Sequence, residues 1–333
     1  MAQARVALFG AAGYSGVELL KLLAQHPDVE LVAAASDSQA GKPIADAISG
    51  TRTDRAGASD FIKTDEALAI KADLALLAVP PDAAHKIVPA LRAQGTKVID
   101  LSHAYRAVPA TEAAYGLTSL FPAEIAAASI IANPGCYATC VITAVAPLVR
   151  HQLIERDVIV SAGSGVTGAG RTGDEAMSMG ELHGNVRAYK VLAHQHVPEI
   201  EMALARVASG STSTAPRVIL TTHLLPIARG IFATITVKLR RPVSSLELTD
   251  RLRADYRDDP TVVITAAPED VSLRKIVGTN QCHVGIAAAG DIAVLTSALD
   301  NLLKGAAGQA VENMNLVLGL PRTTGLTHLA RHG

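Results

Sequence analysis

The chain has 333 residues, 49% of them hydrophobic, and a formal net charge of −1, with its charged residues scattered rather than blocked. So even a balance leaves no footprint for nucleic acid or an anionic membrane, and 6 Tyr, 4 Phe and no Trp leave few surfaces on which bases could stack. Three cysteines, at 136, 140 and 282, make neither a disulfide framework nor a paired metal site, and no apolar run approaches the roughly 20 residues of a membrane span. Length predicts two domains, and cysteine usage predicts a reducing, cytoplasmic setting. The N-terminus runs straight into a strand pattern and lacks the apolar core of a signal peptide.

In the first half, short apolar strands alternate with amphipathic helices. Residues 5–9 read as a buried strand, 15–25 as a helix, and Val29–Ala35, Asp73–Val79, Lys97–Leu101 and Ser129–Ala132 as further strands. Strands without polar alternation, joined by helices, predict a parallel sheet covered on both faces. A helix-like apolar stretch follows Cys136. From about Asp157 the texture changes: glycine-rich loops at 163–173, then strands at 217–224, 231–239, 261–266, 283–288 and 292–297, with a helix near 244–255. Alternation in these strands predicts a mainly antiparallel sheet with one solvated face. Asn301–Leu318 reads as a long amphipathic helix ending at Gly319, with Pro321 beyond it. The fold expected is an α/β Rossmann-type dinucleotide-binding domain (1–147 with 300–333) plus an α+β catalytic domain (148–299).

Gly10-Ala-Ala-Gly13-Tyr14-Ser15-Gly16 lies between the first strand and the first helix. Glycines there allow a tight turn and close approach of the backbone to a pyrophosphate at a helix N-terminus. The pattern is GxxGxxG rather than GxGxxG, and its strand–turn–helix setting carries the prediction. At the end of the second strand, Asp37 suits the ribose of NAD, whereas Ser36, Ser38 and Lys42 suit the 2′-phosphate of NADP. The residues leave that choice open.

Cys136 stands in Asn133-Pro-Gly-Cys-Tyr-Ala-Thr139, at the start of the apolar helix. A thiol there faces unpaired N–H groups and the positive end of the helix dipole, and both favour the nucleophilic thiolate. His194-Gln-His196-Val-Pro-Glu199 offers two histidines and a carboxylate, with His196 as proton partner and Glu199 to orient it if Pro198 opens a helix. HxH with a nearby Glu also suits zinc, but no further cluster has ligand spacing, so no metal is expected. Gly165–Thr172 nearly matches a phosphate loop, with Arg171 where that loop needs lysine. A substrate loop carrying an arginine for an anion is the better reading. Arg229 stands at the turn between two strands and suits a carboxylate or phosphate. Cys140 and Cys282 read as core packing.

Together these blocks resemble the N-acetyl-γ-glutamyl-phosphate reductase family, the arginine-pathway branch of the aspartate-semialdehyde and glyceraldehyde-phosphate dehydrogenase-like superfamily. The likeness runs through Gly10–Gly16, Asp100–Ser102, Phe121–Glu124, Asn133–Pro147, Ser164–Arg171, His194–Glu199, His223–Gly230, Gly278–Cys282 and Asp300–Gln309. Departures are Cys140 in place of a small Gly or Ala, Gly163 in place of a common lysine, and His103-Ala-Tyr105 in place of Ala-Asp-Phe. The resemblance implies NADPH-dependent reduction of an acyl phosphate through a Cys136 thioester, with His196 as acid and Glu199 behind it. It also implies Asn301 on the nicotinamide carboxamide, and His194, Arg229, Arg171 and Arg106 on the substrate. NADP(H) as cofactor and a homodimer or homotetramer are implied as well. A sister enzyme acting on an aminoadipyl phosphate of lysine biosynthesis would share all these features.

Overall fold

The computed structural model describes residues 3–48, 57–170, 179–208 and 215–326. They fall into two compact units: one runs to Gly135 and resumes at Ala306, and the other is Cys136–Gly305.

The first unit contains β1 (Ala4–Phe9), α1 (Tyr14–Gln25), β2 (Val29–Ala35), α2 (Thr64–Leu68), β3 (Leu74–Leu77), α3 (Pro81–Ala93), β4 (Lys97–Asp100), β5 (Ala114–Tyr115), α4 (Pro122–Ala127) and β6 (Ile130–Ala132). Its six strands make one parallel sheet in the order β2-β1-β3-β4-β6-β5. Val6–Phe9 and Leu74–Leu77 are wholly buried, which is why these runs carry no polar alternation. The chain leaves β1 towards β2 and leaves β3 towards β4. The sheet therefore reverses direction between the carboxyl ends of β1 and β3, where such folds bind ligands.

The C-terminal segment departs from the single amphipathic helix expected. Leu303–Ala307 is a π-helical turn, and the α-helix proper is Gly308–Val317. Nor does the helix have a solvated face: Gln309, Glu312, Asn313 and Asn315 are all fully buried. Each meets a polar group of the first unit. Gln309 donates to the Gly116 carbonyl and Thr118 at 3.0 Å, and Glu312 accepts from Thr118 at 2.6 Å. Asn313 donates to Asn133 at 2.9 Å, and Asn315 meets the buried ring of His26 at 3.0 Å. Polar side chains that looked like a surface are the hydrogen-bonded interior.

The second unit contains α5 (Cys136–Arg150), β7 (Ile154–Ser164), α6 (Met179–Leu182), β8 (Arg187–Tyr189), α7 (His196–Val207), β9 (Arg217–Leu224), β10 (Ile231–Leu239), α8 (Ser245–Asp255), β11 (Val262–Ile264), α9 (Leu273–Ile276), β12 (Cys282–Ala289) and β13 (Ile292–Leu299). Seven strands form a mixed sheet, β11-β12-β13-β10-β7-β9-β8, antiparallel except at β11–β12 and β7–β9. Burial alternates along β7 and β10, so one face is core and the other is partly open. Helix α5 is buried from Tyr137 to Val149 and packs on α7, β10 and β13. Accordingly α5 and residues 300–305 belong to this unit, and the boundaries expected at 147 and 300 move to 135 and 305. Periodicity marks a helix but not the sheet it packs on.

Candidate active site

In the first unit, Gly10 follows β1 with φ +75°, and a Cβ there would run into the carbonyl of Ala78 just past β3. A Cβ on Gly16 would strike Gly10 and Ala11. Both glycines therefore serve the close packing of strand, turn and helix. Gly13 differs, since a Cβ would meet only the Gly10 carbonyl, at an ordinary 3.5 Å. Helix α1 starts there without a side-chain cap and without an acidic residue in its first turn, and Tyr14 beside it is 37% exposed. Such an end suits a pyrophosphate. Gly13→Ala should then fold with an unchanged melting temperature but bind NADPH about tenfold more weakly by fluorescence titration, whereas Gly10→Ala should fail to fold stably.

At the end of β2 the carboxylate of Asp37 is turned to Thr64, accepting its N–H at 2.8 Å and its hydroxyl at 3.1 Å. Beside it stand Ser36, 9% exposed, and the exposed Ser38 and Lys42. A hydroxyl-and-lysine edge fits a 2′-phosphate better than a bare ribose. These residues fit an NADP-type cofactor.

The turn before Cys136 is clamped inside the first unit. Asn133 donates its N–H to the Asp100 carbonyl at 2.8 Å, and its side chain reaches Ala306 and Asn313. Arg106 donates Nε to the Asn133 carbonyl at 2.9 Å and Nη2 to the Leu101 carbonyl at 2.7 Å. Read from sequence as a substrate contact, Arg106 spends at least these two N–H groups on the main chain.

In the second unit Cys136 opens α5 and is partly exposed. Gly305 lies against it; a Cβ there would sit 2.8 Å from the Cys136 Cβ. His196 opens α7 two residues earlier than the Pro198 start expected, with Glu199 in the same turn. His194, His196 and Glu199 are 5%, 6% and 2% exposed, so all three are interior groups rather than a surface loop. The first turns of α5 and α7 meet at Tyr137, whose ring stands edge-on to His194 (5.3 Å) and His196 (6.1 Å); the two imidazoles are 4.7 Å apart. Nδ1 of His194 accepts the main-chain N–H of His196 at 3.2 Å, which leaves its proton on Nε2. Burial, and then the nearby Lys190, pull its pKa down to about 4. His194 is therefore a neutral N–H donor at neutral pH.

The turn between β9 and β10 carries Arg229. Residues 165–170 lie along the 227–230 turn, held by Gly165 N–H to Gly230 (2.9 Å) and Val166 N–H to Ile227 (3.0 Å). Arg229 there donates Nε and Nη2 to the fully buried carboxylate of Asp300 at 3.3 and 3.1 Å, with a quarter of its side chain still exposed. Asn301 accepts from Gly230 N–H at 2.7 Å and donates to Thr167 at 3.0 Å, so it also ties the two loops together. Arg171 lies outside the described residues. Gly163 is small because a Cβ would press on Leu225. Cys140 and Cys282 are fully buried on the Ser297 hydroxyl, 3.2 and 3.5 Å away, and burial pushes both thiols up. They are core. Among the described residues no group of three or more His, Cys, Asp or Glu is placed to hold a metal, and no helix is long and apolar enough to cross a membrane.

A doubly wound nucleotide domain followed by a mixed sheet, with a cysteine and two histidines at facing helix starts, defines a semialdehyde-dehydrogenase-type protein. Residues 5–128 match the family described as semialdehyde dehydrogenase, NAD binding domain, and residues 136–301 the semialdehyde dehydrogenase, dimerisation domain. Aspartate semialdehyde dehydrogenase II from Vibrio cholerae superposes with a TM-score of 0.77 at 19% identity, covering 96% of this chain and 99% of its own. The Candida albicans aspartate semialdehyde dehydrogenase, solved with NADP, gives 0.72 at 17% identity, covering 96% and 99%. In sequence, the N-acetyl-gamma-glutamyl-phosphate reductases of Bacillus cereus (strain AH187) and Bacillus thuringiensis subsp. konkukian are 38% and 39% identical, each over 98% of this chain and 99% of their own length. The chain belongs to the N-acetyl-gamma-glutamyl-phosphate reductase family.

Proposed function

We propose that the chain reduces N-acetyl-L-glutamyl 5-phosphate to N-acetyl-L-glutamate 5-semialdehyde and phosphate with NADPH, in L-arginine biosynthesis, and that Cys136 carries the acyl group in between. The observation that supports the residue assignment most is the meeting of the α5 and α7 first turns, with Tyr137 against both imidazoles. Cys136 attacks the acyl carbon, the C–O bond to phosphate breaks, and a thioester forms. Sulfur donates poorly to that carbonyl, so its carbon stays electrophilic. The cofactor, when bound, supplies the hydride. His196 donates a proton to the resulting oxyanion and takes it back as the thiohemiacetal collapses, which returns the thiolate and frees the aldehyde. Glu199, buried in the same helical turn, orients that imidazole. His194 donates Nε2–H to the substrate, and Arg229, Arg171 and Arg106 share its phosphate and α-carboxylate.

The NADP(H) contacts are assigned to Gly10–Gly16, Ser36, Ser38 and Lys42, and the nicotinamide carboxamide to Asn301, as the family resemblance implies. The second unit, matched by a dimerisation family, supplies the open sheet face for a homodimer or homotetramer, and the cytoplasm is its compartment. The test is the reverse reaction: phosphate-dependent NADP⁺ reduction with N-acetylglutamate semialdehyde and with its homologue one methylene longer. We expect kcat/KM to favour the shorter substrate by about tenfold or more, the scale of one methylene in a fitted pocket. Preference for the longer aldehyde would move the chain to aminoadipyl chemistry.

A further inference from the structure

Tyr137 and Tyr189 have no part in the chemistry above, yet they are built into the site. The Tyr189 hydroxyl donates to the Tyr137 hydroxyl at 3.0 Å, although 52 positions separate the residues and they come from β8 and α5. Tyr137 is 2% exposed. Its ring is the surface on which both imidazoles rest edge-on, and the Tyr189 ring also touches His194, with centroids 5.9 Å apart. Tyr189 is itself anchored, because its carbonyl accepts the Thr222 hydroxyl at 2.6 Å from β9. Burial pushes both phenols up, so they stay neutral hydroxyls.

The link from β8 to α7 gives this bond something to restrain. Lys190 and Leu192 both adopt left-handed backbone, at φ +46° and +56°, which side chains other than glycine disfavour. Two such residues just before His194 make a link that relaxes unless held from both ends. At the α7 end, Lys190 donates to Gln195 at 2.8 Å and His196 N–H to His194. At the β8 end, the tyrosine–tyrosine bond holds it together with the pairing of Arg187–Tyr189 on β9 and the Thr222 hydroxyl on the Tyr189 carbonyl.

We infer that Tyr189 and Tyr137 are positioning residues for the histidine cluster: the Tyr189 hydroxyl pins the Tyr137 ring, and that ring sets His194 and His196 against the acyl carbon on Cys136. This inference rests on the roles proposed above for Cys136 and His196. Tyr→Phe removes only the hydroxyl and keeps the ring. Tyr189→Phe and Tyr137→Phe should each lower kcat about five- to tenfold with KM for NADPH and melting temperature unchanged, the scale of one buried hydrogen bond. Both remove the same bond, and Tyr137→Phe also loses the Tyr137–Ser164 hydrogen bond, so Tyr137→Phe/Tyr189→Phe should be no slower than Tyr137→Phe alone. A merely structural pair would instead lower the melting temperature and leave kcat alone. Wild-type kcat in both single variants, or losses that multiply in the double variant, would overturn the pair while leaving the function standing. A wild-type protein inactive on N-acetylglutamyl phosphate would sink both.

Discussion

Cys136→Ala is expected to fold, to bind NADPH with wild-type affinity, and to lose at least about four orders of magnitude in turnover. Loss of a nucleophile is not made up by the rest of the site, because no other group forms the thioester. Folding should survive because Cys136 is partly exposed at the helix start, while α5 is held by the buried run from Tyr137 to Val149. The contrasting variant is Cys140→Ala, four residues along the same helix. Its sulfur sits on Ser297 in the core, so truncation should cost about 1–2 kcal/mol of stability and leave kcat within about twofold of wild type. Denaturant melts and steady-state rates on the two variants check both halves. With N-acetylglutamyl phosphate and no NADPH, wild-type protein should gain the acyl mass on the peptide bearing Cys136, and the alanine variant should not. Turnover that survives the loss of Cys136 would end the covalent account.

How much of this could be read without coordinates depended on the distance over which each residue finds its partner. The strand at 5–9 appears as Ala4–Phe9 because a central parallel strand is buried on both faces and announces itself by unbroken apolarity. Cys136 and the histidine pair were visible as local patterns, one at a helix start and one as HxH with a carboxylate. The C-terminal helix reads as having a solvated face because its polar residues are satisfied from afar: Asn315 meets His26 from 289 positions away and Glu312 meets Thr118 from 194. Period alone cannot tell such a buried polar face from a solvated one. Two-residue β5 and three-residue β8 are too short to carry any alternation. Tyr137 stood in plain view beside Cys136, but its part depends on Tyr189, and no local pattern links the two. Arg106 likewise has partners that no local pattern shows: its Nε and Nη2 donate to the carbonyls of Asn133 and Leu101.

His196→Asn is expected to slow NADPH oxidation by about 10²–10⁴-fold, the usual worth of a positioned acid, without abolishing acyl transfer. Asparagine approximates the Nδ1 side of the ring and cannot supply a proton to the alkoxide formed at the reduced carbon. His196 is 6% exposed, so water would not readily take over that proton transfer. The two half-reactions separate the roles. Without NADPH, wild type and variant should each release about one phosphate per site, because attack and departure of phosphate need only the thiolate and the anion-binding groups. With NADPH, the variant should accumulate the acyl-enzyme, whereas wild type consumes it. Should the phosphate burst slow in step with NADPH oxidation, His196 would be the base that activates Cys136 as well as the later acid. Unchanged rates in both halves would remove His196 from the chemistry and leave neutral His194, with its Nε2 proton, as the donor to examine next.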